Sequence, residues 1–288
     1  MARSVSEGIW VNDALPSLTL RAIFAAGIAA PSFRIASHSP VLFRTARIPP
    51  LKPLAFVTEP KMPAAQPSSA LVLFSGGQDS TTCLYWAKQR FERVETIGFD
   101  YGQKHRVELQ QAQEIATLAG VPFTVFDIRG TLSGSALTEH DKDVSSQHEK
   151  NAALPASFVP GRNAVFLTLA AGHAYNRGIA DLVGGMCQTD YSGYPDCHRV
   201  FVDAMQTALS LAMSIDLRFH TPLMYLTKAE TWKLARDLDV LEIVRDLTHT
   251  DYNGDRSTKN EWGYGQLDNP ASILRAKGYA EAKANGWI

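Results

Sequence analysis

The chain has 288 residues, of which 45% are hydrophobic and 20% charged, and its formal net charge at pH 7 is −1. This balance is typical of an ordinary globular protein and implies no broad basic surface for nucleic acid, although it leaves room for a local basic patch. No apolar run is long enough to cross a bilayer, and three scattered cysteines are too few for a disulfide framework. We therefore expect a cytoplasmic protein with no membrane partner and no direct nucleic-acid partner.

The first 66 residues differ in composition from the rest of the chain. Residues 15–57 contain no Asp or Glu, while Arg, Lys, Pro and Ser are frequent and the hydrophobic periodicity is poor. A targeting segment has this composition, and so does a disordered or misassigned start ahead of Met62. We favour the second interpretation because Met62 lies just before the first predicted strand. The functional domain is placed at residues 67–288.

From residue 70 onward, apolar strands alternate with helical patterns. We predict strands at 71–74, 94–99, 123–128 and 181–184. One helix follows the turn at 75–80 and runs to about residue 90, and further helices are predicted at 107–119, 163–177, 200–213 and 228–238. The polar stretch 130–153 is long for a loop and is a candidate lid. Such alternation predicts an α/β domain with a doubly wound parallel sheet, in which ligands bind beyond the carboxyl ends of the strands.

The first predicted strand runs into a turn that is suited to phosphate. Residues 71–84 read LVLFSGGQDSTTCL, an apolar strand, a Ser-Gly-Gly-Gln-Asp-Ser turn and the start of a helix. Two glycines let the backbone approach a ligand, and hydroxyls and the unpaired N–H groups of the new helix attract an anion. Two glycines alone would favour an ordinary turn; the full hexapeptide in this context favours phosphate binding. The predicted nucleotide-binding residues are Phe74, Ser75, Gly76, Gly77, Gln78, Asp79, Ser80, Thr81, Thr82, Cys83 and Leu84.

Three basic residues near other strand-to-helix crossings are candidates for contacts with the reacting groups. Lys104 follows the second strand in the segment DYGQKH, and Arg162 precedes a helix in FVPGRN, where Asn163 would be a helix cap. Lys228 begins a helix, an unfavourable place for a cation unless an anion lies close. Each of the three has an ordinary alternative as a solvated surface charge.

The loop 184–197 is the densest group of polar and aromatic residues. Aromatic rings there would stack on a flat heterocycle, and carboxylates would accept hydrogen bonds from a purine-like edge. Its two cysteines are ten residues apart, a spacing that gives only weak support for a zinc site. The alternative to substrate binding is a loop with a purely structural role. The predicted substrate-binding residues are Asp190, Tyr191, Tyr194 and Asp196.

The turn at 75–80 resembles the signature of the N-type ATP pyrophosphatases, the PP-loop family. Over residues 70–278, the segments FSGGQDSTTCL, FDYGQKHRVE, FVPGRN, TDYSGYPDC, TPLMYLTKAETW, YNGDR and LRAKGY together resemble the 7-cyano-7-deazaguanine synthases of queuosine biosynthesis. The resemblance implies an adenine nucleotide α hydrolase-like (Rossmann-like) single domain with an irregular C-terminal segment, and a homodimer.

The same resemblance implies an ATP-dependent C–N ligase that converts a carboxylated deazapurine and ammonia to an amide and then to a nitrile. Asp79 would partner Mg²⁺, and with Lys104, Arg162 and Lys228 it forms the predicted catalytic set. Adenylation gives a poorly electrophilic carboxylate a leaving group, and the loop with Mg²⁺ would stabilise charge on the phosphates.

The chain departs from the family at the zinc site. Four family cysteines are replaced by Asp251, Gln266, Asn269 and Ser272, although the flanking residues agree. Because structural zinc needs thiolate or imidazole ligands, we predict that no zinc binds there, and hydrogen bonds among the four polar residues are one replacement.

The sequence leaves three functions open. The first is the complete synthase reaction. The second is a divergent paralogue that stops at the amide or joins the activated acid to another amine, and the third is a nucleotide-binding module without turnover.

Overall fold

A computed structural model of the chain describes residues 68–103, 107–132, 135, 137, 147–148, 151–189, 194–250 and 256–288. The predicted N-terminal extension lies outside these residues. Within the described part of the chain, no helix is both long and apolar enough to span a membrane.

A five-stranded parallel sheet organises the domain. Its strands are β1 (Ser69–Leu73), β2 (Arg93–Asp100), β3 (Phe123–Asp127), β6 (Asp181–Val183) and β7 (Arg218–His220), in the spatial order β3-β2-β1-β6-β7. Two short antiparallel hairpins stand apart: β4 (Gln147–His148) with β5 (Asn151–Pro155), and β8 (Lys259–Asn260) with β9 (Gly263–Tyr264). The chain reverses its winding direction between β1 and β6, so the doubly wound sheet is confirmed, with its switch point at β1.

Helices cover both faces of the sheet because β1 is apolar on both sides. The helices are α1 (Gln78–Lys88), α2 (Val107–Ala119), α3 (Arg162–Asn176), α4 (Arg199–Met213), α5 (Lys228–Asp237), α6 (Leu241–Leu247) and α7 (Pro270–Ala284). Ala70 and Val72 pack towards α1 and α2, whereas Leu71 faces α3 and α4. A third cluster joins α5, α6 and α7 around the fully buried Trp232.

The predicted elements agree with the structure to within two residues at their ends. The exceptions lie in the second half and in the polar stretch. β7 and α6 were not predicted, part of the candidate lid forms the hairpin β4-β5, and the C-terminal segment is not irregular. That segment instead contains the hairpin β8-β9 and the 15-residue helix α7, which packs on α5.

Candidate active site

A pocket of about 890 Å³ lies beyond the carboxyl ends of β1, β2 and β6. The 75–80 turn and the 185–187 segment form its centre. The residues after β2, the first turn of α2 and the start of α3 form one side, and the first turns of α7 form the other. This volume lies towards the upper end of the range of about 300–1,000 Å³ for ligand pockets. The site therefore has the position that a doubly wound sheet predicts.

Gly76 allows the 75–80 turn to lie directly against α2. It has a φ of +79°, and a Cβ at this position would lie 2.7 Å from the backbone nitrogen of Ala112 and 2.9 Å from the carbonyl oxygen of Glu108. No other residue type fits such a close backbone approach in this conformation. The hydroxyls of Ser75 and Ser80 lie 3.2 Å apart, and the Ser80 hydroxyl donates to the Gly77 carbonyl oxygen. The turn is therefore shaped before any ligand arrives.

Asp79 and Lys228 form an ion pair at the edge of this turn. The Lys228 Nζ donates to Asp79 Oδ1 at 3.1 Å and to Oδ2 at 2.9 Å, and the two side chains are 10% (Lys228) and 29% (Asp79) exposed. The stem of Lys228 is held by α7, since a Cβ on Gly278 would lie 2.7 Å from both Cβ and Cγ of Lys228. Two predicted catalytic residues, 149 positions apart, are thus brought together, and in the structure the anion beside Lys228 is the Asp79 carboxylate, whereas the role expected from the sequence was on ATP phosphate.

The eleven predicted nucleotide-binding residues divide into two groups. Phe74, Ser75, Gly77, Gln78, Asp79 and Ser80 line the pocket. Gln78 stands out among them because its amide is buried and neither Nε2 nor Oε1 has a hydrogen-bond partner among the residues that the structure describes, which a bound polar group would provide. Cys83 and Leu84 instead lie in the hydrophobic core, and the Thr82 hydroxyl donates to the Gln78 carbonyl oxygen within α1. Thr81 is fully buried and Gly76 supports the turn from behind.

Tyr194 and Arg162 form a second end of the pocket. The Tyr194 hydroxyl lies 2.6 Å from the Ser157 hydroxyl, and its ring centroid is 5.8 Å from that of Phe158. The Arg162 guanidinium lies 5.8 Å from the Tyr194 ring centroid and hydrogen-bonds the Tyr101 hydroxyl. Burial raises the pKa of Tyr101, and the neighbouring Arg162 opposes that rise. A flat ring is thereby placed beside a cationic fork that suits a carboxylate.

Asp196 and Asn163 act on the protein itself. The Asp196 Oδ2 accepts the backbone N–H of Asn163, and the Asn163 side chain donates to the Asp196 carbonyl oxygen and to Cys197 Sγ. The cap of α3 is Gly161 and not Asn163, so the predicted capping role is wrong. Asp196 is buried and its Oδ1 has no partner among the described residues. These contacts tie the 195–197 turn to the start of α3 and so fix Tyr194 and Arg162 relative to each other.

Glu108 is a pocket residue that the sequence patterns did not single out. It lies in the first turn of α2, partly buried, and lines the pocket. Burial raises its pKa from 4.5 to about 7, and the nearby Arg162 acts in the opposite direction. A carboxyl in this range changes protonation near neutral pH, which suits proton transfer. The signal available in sequence was its position after FDYGQKHRV, but nothing there indicated its burial.

Four further predicted residues, Lys104, Asp190, Tyr191 and Asp251, lie outside the described residues. Their roles stay predictions.

Two of the four residues predicted to stand at the zinc positions, Asn269 and Ser272, are hydrogen-bonded to each other. Asn269 caps α7 by accepting the Ser272 N–H at 3.0 Å, and its amide lies 3.2 Å from the Ser272 hydroxyl. Both side chains are fully buried, whereas Gln266 is exposed. In the described ranges, no group of three His, Cys, Asp or Glu side chains is placed to hold a metal ion.

A buried arginine completes this segment. The Arg275 guanidinium is 1% exposed and makes five hydrogen bonds of 2.7–3.2 Å, and it lies 5.3 Å from the Trp232 ring centroid. Its acceptors are the carbonyl oxygens of Val244, Arg245 and Trp262 and the hydroxyls of Thr248 and Thr250. Arg275 thus connects the end of α6, the β8-β9 hairpin and α7.

Comparison with known proteins agrees with this geometry. A family model described as "Queuosine biosynthesis protein QueC" matches residues 69–283. The 7-cyano-7-deazaguanine synthase of Bradyrhizobium sp. (strain BTAi1 / ATCC BAA-1182) is 52% identical over 227 residues, which cover 74% of this chain and 94% of that protein. The enzyme of the same name from Maricaulis maris (strain MCS10) is 47% identical over 239 residues, 78% of this chain and 97% of that protein.

Solved structures are more distantly similar. The structure of NMN synthetase from Francisella tularensis has a TM-score of 0.40 at 13% identity and covers 76% of this chain and 86% of its own, too low a similarity for any functional conclusion. The match over residues 69–283, together with about half of all positions identical across nearly the full length of named relatives, shows that the chain belongs to the QueC family.

Proposed function

We propose that the chain is an ATP-dependent 7-cyano-7-deazaguanine synthase that converts 7-carboxy-7-deazaguanine and ammonia to 7-cyano-7-deazaguanine. The observation that carries this proposal is one pocket with a phosphate-type turn at one end and an aromatic ring with a cationic fork at the other. The carboxylate of a deazapurine held by Tyr194 and Arg162 would face the phosphates held by the turn. Family membership and the names of the relatives support the same product.

At the phosphate end, the residues stabilise charge. The Ser75 and Ser80 hydroxyls and the backbone of the Gly-Gly turn bind phosphate oxygens, and Lys228 offers its ammonium group. Magnesium fits this donor set, because Mg²⁺ is usually held by one or two carboxylates together with substrate phosphates, and Asp79 supplies a carboxylate. When bound, the ion would neutralise negative charge on the phosphates. Phosphates that attract Lys228 release Asp79 for this role.

At the heterocycle end, the residues orient the acid. Tyr194 stacks on the deazapurine, and Arg162 binds the carboxylate before it is activated. Lys104, Asp190 and Tyr191 retain their proposed roles in phosphate and heterocycle binding. The reaction requires no zinc in this scheme, since Asn269, Ser272 and Arg275 hold the C-terminal segment.

The alternative functions predict different products. A paralogue that stops at the amide yields no nitrile, and a module without turnover leaves the nucleotide intact. The names of the relatives do not favour either alternative.

The test is a reaction with 7-carboxy-7-deazaguanine, ammonium, ATP and magnesium, followed by mass spectrometry of the deazapurine. We expect the amide and then the nitrile, with nucleotide cleavage that depends on the acid. Asp79→Asn should reduce turnover by at least about 100-fold, in line with the loss of one charge-stabilising group. Asp237→Asn is the control, since Asp237 forms ion pairs on the exposed far end of α5. Full activity of Asp79→Asn would contradict the assigned role, and intact ATP in every reaction would contradict the proposed function.

We further propose that residues 67–288 form the synthase domain and that the protein is a cytoplasmic homodimer. Val200 and Leu211 support an interface, because they are 74% and 78% exposed and lie about three turns apart on the same face of α4. Light scattering after size-exclusion chromatography tests the dimer, and Leu211→Glu should yield a monomer.

A further inference from the structure

Glu108 occupies a position that no other part of the proposed reaction uses. It lies in the first turn of α2, which the Gly76 contact fixes against the phosphate-type turn, and it lines the same pocket as Asp79 and Arg162. A group at this point can reach an atom that lies between the phosphate end and the heterocycle end.

The surroundings of Glu108 suit a small cation. Arg162 from α3 acts electrostatically on the Glu108 carboxyl, and the pKa of Tyr101, which directly follows β2, is raised by burial and further by Glu108. The rings of Phe99 and Phe166, which also line the pocket, are stacked with their centroids 4.3 Å apart and add apolar surface to the pocket wall. Arg162 is hydrogen-bonded to Tyr101 and therefore does not fully compensate the carboxylate. A partly buried carboxylate with incomplete compensation favours either a proton or a bound cation.

The proposed reaction needs a group that handles a proton at this position. In neutral water the nitrogen substrate is almost entirely ammonium, which has no lone pair and cannot attack an acyl carbon. A base must remove a proton in the pocket, close to the activated carboxyl group. Asp79 is bonded to Lys228 and is assigned to the phosphates, so Glu108 is the remaining carboxylate among the described residues that line the pocket.

On the basis of the proposed function, we infer that Glu108 binds ammonium and accepts its proton. The proton moves from NH₄⁺ to the Glu108 carboxylate, which becomes a neutral acid and releases NH₃. The nitrogen lone pair forms the C–N bond to the acyl carbon, and the acyl C–O bond breaks, so that the nucleotide leaves with that electron pair. The attached nitrogen then loses one further proton to give the amide. Glu108 returns its own proton to solvent before the next turnover.

The inference is tested with Glu108→Gln, which keeps the shape of the side chain and removes its basicity. We expect its kcat/KM for ammonium to fall by about 100-fold or more, the range for a lost general base. Hydroxylamine is already unprotonated at neutral pH, so hydroxamate formation by the variant should stay within about threefold of the parent. Conversion of added 7-amido-7-deazaguanine to the nitrile, which uses no ammonia, should also persist and shows that the variant is folded. Glu114→Gln is the matched control, since Glu114 lies on the exposed side of the same helix.

The outcomes separate this inference from the proposed function. Unchanged ammonium kinetics in Glu108→Gln, or equal losses with ammonium and hydroxylamine, would overturn the role of Glu108 while leaving the synthase function in place. A parent protein that shows no nucleotide cleavage with the acid would overturn the proposed function and this inference together.

Discussion

Replacement of Arg275 by Met should destabilise the domain strongly, because the side chain is buried and fully engaged. The guanidinium bonds five acceptors in the interior, three of which are backbone carbonyls of the α6 end and the β8-β9 hairpin. Methionine fills much of the volume but donates nothing. Each orphaned acceptor costs about 1 kcal/mol or more, and relief from burying a charge offsets part of the total, so we expect a net loss of about 3–5 kcal/mol. A domain of this size then melts about 10 °C lower.

The assay is thermal and urea unfolding of the parent, Arg275→Met and Arg275→Lys, with and without a metal chelator. Arg275→Lys keeps a charge and three donors and should fall between the other two proteins. Arg90→Met is the control, because Arg90 is exposed just after the end of α1 and its guanidinium bonds the Trp86 carbonyl in the last turn of that helix, and it should change stability by less than about 1 kcal/mol.

Two results would refute this reasoning. The first is an Arg275→Met protein within about 1 kcal/mol of the parent. The second is a parent whose melting temperature falls when the chelator is added, because a bound metal would then hold the segment that we assign to hydrogen bonds.

Three shorter predictions concern the pocket. Gly278→Ala places a methyl group against Lys228 and should lower both turnover and, by about 1–3 kcal/mol, the free energy of unfolding. Gly172→Ala is the control, because Gly172 lies in a helix with open space around it: its free energy of unfolding should be unchanged or higher, and its turnover unchanged. The pKa of Glu108 in the folded protein, about 7, lies above its ordinary value of 4.5, so the parent is most stable below pH 4.5 and loses stability as the pH rises to about 7. Glu108→Gln should therefore be more stable than the parent by at most about 3 kcal/mol at pH 8. At pH 4.5 the two proteins should have similar free energies of unfolding, measured from urea midpoints. Tyr194→Leu removes the aromatic ring from the pocket and should raise the KM for the acid more than it lowers kcat, and an unchanged KM would count against Tyr194 as the stacking residue.

Sequence patterns identified the elements whose signals are local. The strand, Gly-Gly turn and helix around residues 71–84 combine an apolar run, a turn and a helix start in one short stretch, and the structure agrees closely. β7 was missed because the three residues Arg-Phe-His are too few to establish an alternation, and α6 because seven residues are too few for a clear period. The helix α7 was missed because its sequence was interpreted only against a zinc site.

Contacts between residues that are far apart in the sequence were the other feature that could not be predicted. Asp79 and Lys228 were each assigned to the phosphate end, but nothing in the sequence indicates that two residues 149 positions apart are bonded. Glu108 and Arg275 were missed for a related reason, since a charged residue in a helix normally faces water and its burial depends on packing from distant segments.

The salt bridge between α1 and α5 also determines how the pocket behaves between turnovers. In the absence of nucleotide, the Asp79 carboxylate neutralises Lys228 as a phosphate would in a nucleotide complex. The Lys228 ammonium in turn neutralises Asp79 as a bound metal cation would. A polyphosphate therefore exchanges one ionic contact for another on arrival. Affinity for nucleotide should accordingly respond to divalent cation more steeply than to monovalent salt, because only the former gives the displaced carboxylate a new partner.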